Sequence, residues 1–192
     1  MEFFNTIAGL APGESRELQL FIETHPDYFA PLLLSRNETL VAQGETCRYL
    51  CLIQKGILQH SIILDGNEKT TYIGLKNSIT TSLASFLNQM PSRKSIKAIS
   101  DCELLVIDRE KFRELLSSNA TFRTLYYDLI ERQICLIDDY RIDLLTLSPE
   151  ERYAKLLRTE PDLLHEVPLH YLASLLGISG RHMSRIRKSI LR

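Results

Sequence analysis

The last 24 residues of the chain, Leu169 to Arg192, carry the pattern that most constrains its fold. Large apolar residues occupy the five positions of this segment at which a helix-turn-helix unit needs them, and a small residue, Ala173, and a glycine, Gly177, stand between them. Two helices that cross steeply need a small residue where they approach, and the turn between them needs a residue with positive φ. The pattern therefore predicts a helix-turn-helix unit. Its crossing would be sealed by Leu172, Leu176, Ile178, Met183 and Ile186.

The second helix of this unit is predicted to begin after Ser179, whose hydroxyl can cap free backbone N–H groups, and to run from Gly180 to about Leu191. Met183, Ile186 and Ile190 recur at helical spacing and are expected to point inward. The opposite face is polar and basic. Its predicted DNA-contacting residues are Ser179, Gly180, Arg181, His182, Ser184, Arg185, Arg187 and Lys188.

Positive charge is concentrated at this end of the chain. Residues 178–192 contain five Lys or Arg and no acid, whereas residues 1–177 contain 18 basic and 24 acidic residues, and the whole chain has a net charge of −1. A basic tip on an acidic chain is typical of a protein that binds a polyanion. A basic helix face can also be a merely solvated surface, but its agreement with the helix-turn-helix pattern favours duplex DNA as the partner.

Composition limits the class of protein. The chain has 192 residues, of which 44% are hydrophobic and 24% charged, enough for one sizeable core or two modest domains. Its apolar runs are too short to span a bilayer, and its first residues lack the order of a signal peptide. We therefore predict a cytoplasmic protein that has no membrane partner.

Cysteine and histidine spacing gives no sign of a cofactor. The four cysteines are scattered, and Cys47 and Cys51 alone cannot supply the four ligands of an iron–sulfur cluster. Catalytic triads, nucleotide-phosphate glycine loops and metal-ligand spacings are all missing from the sequence. We therefore predict no catalytic residues, no metal, no cofactor and no enzymatic activity.

The first half of the chain is rich in short strands. A helical pattern from Phe3 to Thr24 is followed by brief aliphatic segments separated by glycines, and the pair Asp65-Gly66 is a hairpin signal. A last strand, Glu103 to Ile107, precedes Asp108, a good helix cap. Strands of this length separated by frequent turns predict an antiparallel roll or barrel.

The pattern becomes helical for nearly thirty residues from Asn119. Its apolar stripe is Phe122, Leu125, Tyr126, Leu129, Gln133, Leu136, Ile137 and Tyr140, then Leu144 and Leu147. A stripe of this length favours a partner helix in a two-fold dimer, the alternative being that it packs only on its own domain. Next, Ser148-Pro149-Glu150-Glu151 forms a capping box that opens a new unit. The predicted domains are residues 1–118, the central helix 119–147, and 148–192.

The order of these parts resembles the CRP/FNR family of bacterial transcription regulators. The resemblance covers about residues 20–192: a roll with Gly44, Tyr49, Ile53, Gly56 and Asp65-Gly66, a long helix, and a helix-turn-helix with Leu-Gly-Ile-Ser at its turn. It implies an α+β fold, with a cyclic-nucleotide-binding-like β-roll as sensor, and a homodimer whose two helix-turn-helix units bind palindromic promoter DNA. Recruitment of RNA polymerase is common in the family.

The sequence departs from the family in the effector pocket. Members that bind cyclic AMP carry a Gly-Glu pair and an Arg-Ser pair there; this chain aligns Thr81 and Ser82 with the first, and Ser92 and Arg93 with the second. We therefore predict a degenerate pocket that does not bind cyclic AMP, and leave open another small anionic effector at Thr81, Ser82, Ser92 and Arg93. The N-terminal cysteine cluster of the redox-sensing branch is also missing.

A second departure lies at the end of the sequence. Family members commonly add a β-hairpin wing after the recognition helix, and we expect none here, so that Arg187 and Arg192 would carry more of the phosphate contacts. The sequence names neither effector nor operator, and it does not separate activator from repressor. The alternative function is a ligand-binding regulatory module that acts through protein contacts rather than DNA.

Overall fold

Two antiparallel sheets of four strands form a β-roll in the N-terminal half of the chain. The computed structural model describes the backbone of residues 12–190 and the side-chain exposure of residues 16–189. The strand orders are β1-β8-β3-β6 and β2-β7-β4-β5. The strands are β1 Ala30–Leu34, β2 Thr39–Val41, β3 Tyr49–Lys55, β4 Leu58–Leu64, β5 Asn67–Gly74, β6 Ile79–Thr80, β7 Ser95–Ala98 and β8 Cys102–Asp108.

Local turn chemistry fixes two corners of the roll. Asp65 and Gly66 both have positive φ, 51° and 75°, and they join β4 to β5 as the predicted hairpin. Gly56 has φ +89° and lies so close to the next chain segment that a Cβ would stand 2.3 Å from the carbonyl oxygen of Asp101. A side chain at position 56 would therefore force β3 and β4 away from β8.

Helices surround the roll and continue to the C-terminal end of the described chain. The helices are α1 Pro12–Thr24, α2 Leu83–Asn88, α3 Arg109–Ser118, α4 Ala120–Thr146, α5 Pro149–Thr159, α6 Pro161–Glu166, α7 Leu169–Leu175 and α8 Gly180–Ile190, with a short 3-10 turn at Pro26–Tyr28. The predicted N-terminal helix is confirmed from Pro12 onward, and its first part, from Phe3, lies outside the described residues. Asp108 caps α3 as predicted, because its side chain accepts the N–H of Lys111 at 2.9 Å.

The long helix α4 begins where the sequence predicts, with Asn119 accepting the N–H of Phe122 at 3.0 Å. The first part of its predicted stripe packs on its own chain: Phe122, Leu125 and Tyr126 join the core of the roll. For these three residues the alternative prediction holds, because they pack on their own domain and not on a partner helix. Other apolar residues on α4 are exposed, and two of them come from the predicted stripe. The exposed set is Tyr127, Ile134, Ile137, Ile142, Leu144 and Leu145.

Helices α5 to α8 form a compact bundle that shares a hydrophobic core with the roll. The predicted capping box is present: the Ser148 hydroxyl accepts the Glu151 N–H, and the Glu151 carboxylate accepts the Ser148 N–H. Ile73 and Leu75, at the end of β5, are buried in one cluster with Leu172 of α7. The bundle therefore packs against β5 and is not joined to the roll through α4 alone. No helix within residues 12–190 is both long and apolar enough to cross a membrane.

Candidate nucleic-acid interface and roll interior

The turn between α7 and α8 has the predicted geometry. Gly177 has φ +71°, and a Cβ built there would meet no atom within 4 Å, so backbone conformation rather than space requires the glycine. The N–H of Ile178 returns to the carbonyl of Ala173 at 2.9 Å. Of the five residues predicted to seal the crossing, Ile178 is half-buried and the other four are buried: Leu172, Leu176, Met183 and Ile186. The small residue Ala173 is buried as well.

Ser179 is the N-terminal cap of α8, as predicted. Its hydroxyl accepts the N–H of His182 at 3.2 Å, and both Ser179 and Gly180 are exposed. The first turn of α8 therefore lies at the surface of the bundle, where a phosphate could approach its backbone N–H groups.

The outer face of α8 is a basic surface. Arg181, Arg185, Arg187 and Lys188 are exposed, and none of them forms a salt bridge with another described residue. We call these four residues the basic face. Ser184 lies on the same side of the helix, but its hydroxyl donates to the Gly180 carbonyl at 2.9 Å, so its donor is already used within the helix.

His182 contacts another helix of the bundle at its surface. Its Nε2 lies 2.8 Å from Oε1 of Glu150, the second residue of α5, and this contact lowers the pKa of the Glu150 carboxyl. The imidazole therefore ties the start of α8 to the start of α5. No sequence signal pointed to this pair, because the two residues lie 32 positions apart.

The four predicted effector-pocket residues do not converge on one point. Ser92 donates its hydroxyl to Ser82 at 2.8 Å, so these two do come together. Thr81 is turned to the carbonyl of Tyr49 at 2.8 Å, and Arg93 is exposed. The only cation of this set therefore points away from the buried hydroxyls.

Two basic residues outside this set bear on the roll interior: His60, which the sequence did not single out, and Lys94, whose backbone N–H donates to the Ser92 hydroxyl at 3.3 Å. His60 of β4 is buried, and its Nε2 lies 2.6 Å from Oγ1 of Thr80, while its Nδ1 has no hydrogen-bond partner among the described residues. Burial, with a smaller contribution from the charge of Lys94, holds the pKa of His60 well below its usual range. Burial also lowers the pKa of Lys94. The sequence signal that could have identified His60 is its position as a polar residue within the buried first half of β4.

The cysteines form no metal site. Cys47, Cys51 and Cys102 are buried and Cys135 is exposed, and the described residues include no group of three or more potential metal ligands. The Sγ of Cys47 lies 3.3 Å from Oγ1 of Thr81, and burial raises the pKa of the Cys51 thiol. The three buried thiols act as core residues of the roll.

The roll is similar to a known family of domains. Residues 31–119 match the family model of the cyclic nucleotide-binding domain, which spans the strands β1 to β8 and the helix α3. No curated protein matches this sequence.

Solved structures share this fold over most of the chain. FixK2 from Bradyrhizobium japonicum superposes with a TM-score of 0.68 at 15% identity over 84% of each chain. The catabolite activator protein of Thermus thermophilus gives 0.56 at 24% identity over 95% of this chain and 84% of its own. A transcriptional regulator assigned to the CRP/FNR family from Eubacterium rectale gives 0.66 at 17% identity over 95% and 84%. At these sequence identities the comparison shows only that the fold is shared.

Proposed function

We propose that this chain, which contains a cyclic nucleotide-binding domain and has the fold of the CRP/FNR transcription regulators, is itself a regulator that binds duplex DNA sequence-specifically. The observation that carries the proposal is the basic face of α8, which is exposed and free of salt bridges to described residues. A recognition helix needs such a face, because it must offer unpaired cations and donors to the major groove.

Within this face we assign different contacts to different side chains. Arg181 and Arg185 would each donate two hydrogen bonds to a guanine edge, with Lys188 and the accepting lone pairs of Ser184 beside them. Ser179, Arg187 and the backbone at Gly180 lie toward the edge of the face and suit phosphate contacts. His182 would reach a phosphate only by leaving Glu150, so its contribution to DNA binding is expected to be smaller.

We further propose that the active form is a homodimer formed through α4. The supporting observation is the set of exposed apolar side chains on this helix, including Ile134 at 61% and Leu145 at 87% exposure. Tyr127, Ile134 and Leu145 are separated by seven and then eleven positions, which at about 100° per residue places them on one face. A second α4 packed on this face would cover it and would pair two recognition helices about a two-fold axis.

Side-chain contacts in the roll interior support our proposal that the pocket does not bind cyclic AMP. A cyclic nucleotide needs a cation for its phosphate and an acceptor for its ribose hydroxyl, yet Arg93 is exposed and position 82 carries a serine that is bonded to Ser92. Nε2 of His60 and Oγ1 of Thr80 also bond to each other in the interior, so these two atoms are already engaged.

The salt dependence of DNA binding tests the proposal. Fluorescence anisotropy with labelled random-sequence duplexes should show binding that weakens as salt rises. Arg187→Ala should reduce the log–log slope by about 0.9 for each phosphate that the arginine neutralises in the wild type. Arg113→Ala, at an exposed position of α3, is the matched control and should leave the slope unchanged. No DNA binding at low salt would contradict the proposal and favour a module that acts through protein contacts.

A further inference from the structure

A cavity of about 130 Å³ lies where the roll, α4 and the C-terminal bundle meet. Its walls come from four elements: Tyr72 of β5, Leu136 and Tyr140 of α4, Leu156 of α5 and Leu175 of α7. His60, Ser82 and Ser92 themselves do not line it, although two of its wall residues, Thr71 and Tyr72, contact His60 on their other side. Most of its surface is apolar, so water gains little there and a hydrocarbon group would be favoured.

Arg152 supplies the cavity with an unsatisfied positive group. Its Nη2 donates to the Leu176 carbonyl at 3.2 Å, but its Nε is buried and has no hydrogen-bond partner among the described residues. A buried donor without an acceptor is costly, and more so when it is charged. The Nε of Arg152 is therefore a donor for an acceptor that the described part of the chain does not provide.

None of the other charged groups that line the cavity is paired with Arg152. Lys155 is paired with Asp143 at 2.5 Å. Asp139 also lines the cavity, but it forms neither a salt bridge nor a hydrogen bond with Arg152. The hydroxyl of Tyr140 is also engaged, since it donates to the Leu175 carbonyl at 3.3 Å. The neutral carbonyl of Leu176 does not balance the charge of Arg152, whereas an entering carboxylate would.

We propose that this cavity binds a small molecule made of one carboxylate and a short apolar chain. The carboxylate accepts from Nε of Arg152, and the apolar chain lies against Leu136, Leu156 and Leu175. Such a ligand contacts the roll, α4 and the bundle at once, so it would hold α7 and α8 in place relative to the rest of the chain. The effect on α7 and α8 is regulatory only if the proposed function is correct, whereas the binding site itself does not depend on that function.

Titration calorimetry on the full chain without DNA tests the site. The probe is hexanoate, and hexanol, with the same chain length and no charge, is the control ligand. Hexanoate should bind saturably and at least about ten-fold more tightly than hexanol, and Arg152→Gln should reduce its affinity by about the same factor. Arg158→Gln, at an exposed position on the same helix, should bind hexanoate as the wild type does.

Three results would overturn the site: no saturable binding of hexanoate, equal affinity for hexanoate and hexanol, or unchanged affinity in Arg152→Gln. If Arg152→Gln does not give a cooperative thermal melt, Leu136→Trp decides, because it fills the cavity and leaves Arg152 in place. It should abolish hexanoate binding, and binding at wild-type affinity would contradict the proposal. Since none of these titrations contains DNA, a failure of the proposed function leaves their outcome unaffected.

Discussion

At the scale of single residues, two glycines that lie three positions apart differ in whether their backbone conformation requires glycine. Gly177 has φ +71°, whereas Gly180 begins α8 without a positive φ, and a Cβ would meet no atom within 4 Å at either position. Gly177→Ala should therefore lower the free energy of unfolding by about 1 kcal/mol, while Gly180→Ala should be neutral or slightly stabilising. Denaturant unfolding of both variants measures the difference, and equal losses of stability would contradict this assignment.

Arg185 is the residue at which we expect base recognition to be most sensitive. Its side chain is exposed on the basic face, and a bidentate contact to guanine contributes about 1–3 kcal/mol of discrimination. Arg185→Ala should therefore lose several-fold to a hundred-fold in affinity for an enriched duplex and lose less on random duplexes, as measured by anisotropy. An equal loss on both kinds of DNA would assign Arg185 to phosphate contact only.

His60 predicts a pH dependence of stability. In the folded chain burial holds the pKa of His60 well below its usual range, so as the pH falls below about 6.5 the unfolded chain takes up a proton that the folded chain does not. The free energy of unfolding should therefore decrease from about pH 6.5 toward pH 5.

The matched variants for this effect are His60→Gln and His165→Gln. Glutamine at position 60 can still bond to Thr80 but does not titrate, so part of the acid loss should disappear from unfolding curves measured at both pH values. His165 is exposed, and His165→Gln should retain the wild-type decrease. A full acid loss in His60→Gln would show that other groups cause it.

At the scale of elements, α4 separates two apolar faces with different roles. One face packs on the roll through residues such as Phe122 and Leu125, and the other exposes Ile134 and its neighbours. Ile134→Glu would place a charge at the proposed dimer contact and should convert the dimer to a monomer in sedimentation velocity experiments. Leu33→Glu, at a residue of β1 that is 72% exposed, should not. A dimeric Ile134→Glu protein would contradict the use of this face.

Elements whose signal is local could be predicted from the sequence. The Asp65-Gly66 hairpin, the Asp108 and Ser179 caps and the capping box at Ser148 each depend on a few neighbouring residues, and the structure confirms all four. The faces of α4 could not be assigned in this way, because periodicity locates apolar residues without showing which of them the roll covers. The partners of His60 and His182 also depend on packing between distant segments.

At the scale of the whole molecule, the roll and the C-terminal bundle are joined through more than α4. The backbone N–H of Thr70 in β5 donates to the Ser174 hydroxyl of α7 at 2.9 Å, and Ile73 and Leu75 share a buried cluster with residues of α7. The bundle therefore rests on the hairpin strand of the roll, and a change in the roll would reach α8 through α7. This arrangement joins the roll directly to the helices that carry the basic face.

In vitro selection of duplex DNA by the full wild-type chain tests the central claim most directly. A dimer with one recognition helix on each side of a two-fold axis should enrich an inverted repeat, with half-sites about one helical turn, or about 10 base pairs, apart from centre to centre. Guanine should be prominent within each half-site, since two arginines on each basic face are assigned to guanine edges. Enrichment of no sequence, or of a single half-site without its inverted copy, would contradict the account.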